Sequence, residues 1–184
     1  MRRLPGMIAA ICLTVSIAAL VAAPARAQPL SDAEAAYRSG DVGRAIAIAR
    51  AAAEQSDPQA QALLAFYLFT KVPPDTAEAI GWWKRAAAQG HAEAQFMLAT
   101  QYLYGLAIPA DASAAYTWAL IASQSARLSE SARNEVLKLM AEIRGRLSPA
   151  EIKAAQEAAV GFSAKGEGES WSSGILDFES TVKS

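Results

Sequence analysis

Residues 45–68 and 79–102 nearly repeat each other, as AIAIARAAAEQSDPQAQALLAFYL and AIGWWKRAAAQGHAEAQFMLATQY, at an offset of 34. At that offset Ala45 falls on Ala79, Ile46 on Ile80, Gln55 on Gln89, Ala60 on Ala94, Gln61 on Gln95 and Leu64 on Leu98. A third copy starts near Asp111, 36 residues after Asp75, and puts Trp118 where Trp82 stood. Self-similarity at a fixed period of this length is the mark of stacked helix pairs. One such unit cannot bury its apolar face alone, so it must lean on its neighbours. The repeat therefore constrains architecture far more tightly than it constrains function.

The first 27 residues read as a secretory leader. Arg2 and Arg3 form a positive start, Met7 to Ala23 is almost wholly apolar, Pro24 breaks the run, and Ala25-Arg26-Ala27 offers small residues at the positions that a signal peptidase reads. An uncleaved anchor is the rival, since the apolar run reaches the lower edge of a spanning length. Cleavage before Gln28 removes Cys12, the sole cysteine, together with Arg2, Arg3 and Arg26. The remaining chain has 14 basic residues against 18 acidic ones, a net charge of −4, and can form no disulfide. No basic patch suggests nucleic acid, and no basic amphipathic helix suggests anionic membrane. The expectation is a periplasmic or secreted protein with no stable membrane insertion once the leader is gone.

Helix punctuation recurs along the rest. Ser31 and Glu34 have the spacing of a capping box, as do Ser148 and Glu151. Asp57-Pro58 places a capping acid before a proline at the first helical position. Gly40, Gly90, Pro73-Pro74 and the stretch from Gly105 to Asp111 separate Ala-rich segments with apolar residues every three or four positions. No segment alternates like a strand. These signals predict helices near 31–39, 42–55, 58–70, 76–89, 92–104, 112–126, 129–146 and 149–161. The fold expected is an all-α, short αα superhelix of stacked antiparallel pairs over residues 28–162, closed by a capping helix. Residues 163–184, rich in Gly, Ser and Glu, read as a mostly disordered tail in which Trp171, Ile175, Leu176 and Phe178 stand out.

Ala79, Trp82, Ala86, Ala87, Gln89, Gly90, Ala92, Ala94, Gln95, Leu98, Tyr102, Gly105 and Asp111 fall where the Sel-one-like repeat (SLR) family, related to tetratricopeptide repeats, has its recurrent residues. The first copy is degenerate, with Ile48 in the Trp place, and the third keeps only Tyr116, Trp118 and Ala122. The resemblance covers about residues 36–160. It implies an adaptor for protein complexes, and for secreted bacterial members a role in the envelope.

Chemistry is scarce. His91, the one histidine, sits two residues before Glu93, but the cysteines that a zinc deaminase would need are missing; a place in the turn between helices accounts for it. Asp75 with Glu78 and Glu130 with Glu135 are carboxylate pairs, and helix starts attract acids for dipole reasons alone. Nucleophile elbows, metalloprotease motifs and phosphate loops are absent from the sequence. No catalytic residue, cofactor or metal is therefore expected.

The leading expectation is a non-catalytic scaffold that binds a protein or peptide. A cell-envelope hydrolase, or an accessory subunit of an envelope enzyme, is the alternative, and a small-molecule sensor is a third reading. If the first helix of each pair lines the concave side, residues about 100° round from the core positions are candidates for contact. These are Tyr67 and Lys71 on one helix and Gln101 and Tyr104 on the next. Trp83, beside the core position Trp82, is open to two readings, packing against the neighbouring repeat or a binding platform.

Overall fold

The computed structural model of the chain describes residues 27–165, and within them the chain forms eight α-helices. All of the predicted leader but Ala27, and nearly all of the predicted tail, lie outside the described residues. The helices are α1 (Ala27–Arg38), α2 (Val42–Ala53), α3 (Pro58–Thr70), α4 (Thr76–Ala88), α5 (Ala92–Tyr104), α6 (Ala112–Ser123), α7 (Glu130–Arg144) and α8 (Pro149–Lys165).

Most boundaries follow from capping. Asp41, Asp57 and Asp111 accept the backbone N–H of Arg44, of Gln59 and Ala60, and of Ala114, which supplies partners for otherwise orphaned first-turn donors. Ser148 and Glu151 close a full capping box: the Ser148 N–H and hydroxyl both donate to Glu151 Oε2 at 2.7 Å, and Ser148 Oγ accepts the Glu151 N–H at 3.3 Å. Those bonds hold the Glu151 carboxyl below its ordinary range. Ser148→Ala is expected to cost about 1 kcal/mol, read as a small drop in urea midpoint. Helix α1 begins at Ala27, so Ser31, the other predicted cap, lies inside the helix and not at its start. Helix α6 stops at Ser123, short of the predicted 126, where Arg133 of α7 donates to the carbonyls of Ser123 and Ser125 at 2.8 and 2.9 Å. Helix α8 runs on to Lys165, past the expected domain end.

The helices form two layers. Consecutive pairs α1–α2, α3–α4 and α5–α6 pack as hairpins, and each second helix also packs on the first helix of the next pair. Tyr37 of α1 stacks on Tyr67 of α3 at 4.5 Å between ring centroids, which places α1 beside α3 in one layer. An ion pair between Arg50 of α2 and Glu78 of α4 joins the other layer. The last pair departs from the hairpin pattern: both α7 and α8 pack on α6, with Phe162 of α8 edge-on to Trp118 at 5.4 Å.

Small side chains let the layers approach. Ala79, Ala86, Ala87, Ala94 and Ala99 are all fully buried, and Leu64, Leu98 and Trp83 fill the space that they leave. The period also appears in the polar contacts. Gln61 Nε2 donates to the Ala53 carbonyl at 3.3 Å, and its counterpart 34 residues later, Gln95, donates to the Ala87 carbonyl at 3.0 Å. Gly90 ends α4 with φ +80, and its counterpart Ser56 takes a positive φ of 62, a conformation that costs a non-glycine residue roughly 1–2 kcal/mol.

Candidate partner-binding face

In the two-layer stack, α3 is touched by α2 and α4, and its Tyr67 stacks on α1. Its buried arc is therefore wide: Ala60, Gln61, Leu64, Ala65, Tyr67 and Leu68 all lie inside. Tyr67 is only 1% exposed, and burial pushes its hydroxyl pKa up to about 12. Gln101, its counterpart on α5, is also 1% exposed. The sequence pattern places both on an open surface, and the structure buries them. A 100° step from the core position can lead toward solvent or toward the adjacent repeat, and here it leads to the adjacent repeat.

Trp83 resolves the same way. It is 1% exposed and packs on Phe69 of α3 at 5.2 Å between centroids. The neighbouring Trp82 is buried, as its repeat position predicts, but lies nearer the surface. Its indole N–H donates to Glu78 Oε1 at 3.0 Å, and the Arg85 guanidinium sits 4.4 Å above its ring. The hydrogen bond from Arg50 holds the Glu78 carboxyl below its ordinary range despite some desolvation. Trp83 is thus a core residue and no platform.

Two of the five sequence candidates remain accessible. Lys71 ends α3, is about one-third exposed, and pairs loosely with Asp75 at 3.7 Å. Tyr104 is 48% exposed, and its hydroxyl donates to Glu142 Oε2 of α7 at 2.9 Å. Glu142 also accepts from Arg146 at 2.8 Å. The acceptor carboxylate raises the Tyr104 hydroxyl pKa above its ordinary value.

Sequence reasoning missed Phe66. It is 42% exposed and stands edge-on to Tyr37 at 5.7 Å and to Tyr67 at 6.0 Å. With Leu63, Thr70, Phe96, Met97, Thr100 and Tyr104 it belongs to the half-buried and exposed stripe of α3 and α5. The positions 62, 63, 66 and 70 of α3 match 96, 97, 100 and 104 of α5 at the repeat offset, and each set follows the helical 3–4 spacing. The loops that follow these helices expose Val72 and Leu106, again 34 residues apart. The signal lay in apolar residues at positions where the repeat pattern does not demand them. Among the described residues no group of three His, Asp or Glu side chains is placed to hold a metal ion, and no helix is long and apolar enough to cross a membrane.

Residues 58–91 and 92–126 each match the Sel1 repeat, one helix pair per match: α3–α4, then α5–α6. Helices α1, α2, α7 and α8 lie outside the matched segments. Among solved structures it is similar to a protective antigen present in uropathogenic Escherichia coli strains that displays an SLR fold, with a TM-score of 0.67 and 21% identity. That likeness covers 76% of this chain and 30% of the antigen, so the chain spans less than a third of that protein's length. No curated protein matches the chain.

Proposed function

We propose that this chain is a periplasmic helical-repeat adaptor that binds a protein or peptide along the open side of α3 and α5. Sel1 repeats form helical scaffolds that typically serve protein interaction, and the leader-like start of the sequence supports export to the envelope. The observation that carries the reading is the apolar stripe itself. Phe66 and Tyr104 stay about half exposed, beside Leu63, Phe96 and Met97, on rigid helices rather than on loops. Aromatic side chains held in this way give contact area at little cost in conformational entropy, and a helix or peptide laid across adjacent helices would meet them at regular spacing.

Cross-linking tests this face against the opposite layer. A photoreactive phenylalanine analogue placed at Phe66 or Tyr104 is expected to capture an envelope protein, and the same group at Lys84 on α4 is not. Equal capture at all three positions, or capture at Lys84 alone, would reject the proposed face.

A further inference from the structure

We propose that His91 is a pH-sensitive latch between the two Sel1 repeats, in which a neutral imidazole ties the first turn of α5 to the first turn of α3. His91 occupies the repeat position of Asp57, the residue that caps α3, and takes over that role for α5. Its Nδ1 accepts the backbone N–H of Ala94 at 3.3 Å. That contact requires a lone pair on Nδ1, so the ring proton sits on Nε2 and is donated to Gln59 Oε1 of α3 at 2.9 Å. One ring therefore caps one repeat and grips the other. An aspartate cap cannot do both, because it has no proton to donate.

Protonation puts a second donor on Nδ1, where it faces the Ala94 N–H and the positive end of the α5 dipole. The cap is then lost. To satisfy the new donor the ring must turn toward Glu93 Oε2, 3.5 Å from Nδ1, and turning carries Nε2 away from Gln59. The charged groups around the ring are Glu93 on α5, Asp57 at the start of α3, and Arg127 between α6 and α7. The side chain is only 11% exposed. Burial among these elements is the largest influence on its titration and holds the imidazole below its ordinary value, aided by Arg127 and opposed by the two carboxylates. An unfolded chain takes up its proton near the ordinary value of about 6.5. Between that value and the lower folded one the unfolded state holds more protons, so stability is full above it and declines as the pH falls. The joint between the repeats would loosen on acidification.

His91 is the only histidine, so its imidazole resonances need no assignment by elimination. The expected NMR titration midpoint of the purified protein lies below the ordinary histidine value. The Ala94 amide, corrected for its intrinsic exchange rate, should lose protection over the interval from about pH 7.5 down through that midpoint. His91→Asn keeps a good neutral cap but cannot titrate. Its urea midpoint should fall less over that interval than that of the unaltered protein. A midpoint at or above the ordinary value, unchanged Ala94 protection, or equal pH dependence in the two proteins would overturn the latch. If His91→Asn does not fold, the titration and Ala94 protection of the unaltered protein decide.

Discussion

Trp83→Ala is expected to remove about 3–5 kcal/mol of folding stability, the range for deleting a buried aromatic side chain. The indole is almost completely enclosed, its ring meets Phe69, and the small residues Ala79, Ala86 and Ala87 of the same helix leave little bulk nearby to collapse into the void. Trp82→Ala should cost less. Trp82 lies nearer the surface, and part of what it loses, the contact with Arg85 and the bond to the one-third exposed Glu78, sits where solvent competes. Urea denaturation of both variants checks the order. A larger loss at Trp82 would mean that α4 is rotated relative to the arrangement described.

Repeat position alone marks Trp82 as the core residue and leaves Trp83 open to packing or binding. Repeat spacing shows which positions recur, and recurrence marked Trp82 because Trp118 shares its place. It does not show how much of a helix's circumference is enclosed. In a lone hairpin one stripe per helix is buried. In a two-layer stack an inner helix is covered from several sides, so Tyr67, Trp83 and Gln101 disappear from the surface together. The caps at Asp57 and Ser148 and the stop at Gly90 were legible because they depend on a few adjacent residues. The end of α6 was not, since it depends on Arg133 reaching back from another helix. Phe66 was legible only in part: apolar residues off the repeat pattern mark the stripe, but how much of it stays exposed depends on where α1 and its Tyr37 pack.

The joint substitution Phe66→Ala and Tyr104→Ala is expected to weaken partner binding roughly 30-fold or more, the loss of about 2 kcal/mol that marks a single strong aromatic anchor. Both side chains are about half exposed, so their removal opens no cavity in the core. Tyr104 gives up only a surface hydrogen bond to Glu142, and Phe66 only edge contacts with Tyr37 and Tyr67. The melting temperature should therefore stay close to that of the unaltered protein, which separates a lost contact from a lost fold. The decisive measurement is calorimetric titration of the cross-linked partner, once identified, against the unaltered protein and this double variant, each with its melting curve recorded. The adaptor reading predicts binding reduced by that factor at unchanged melting. Undiminished affinity in a stably folded double variant would contradict it and exclude the α3–α5 face as the site of recognition.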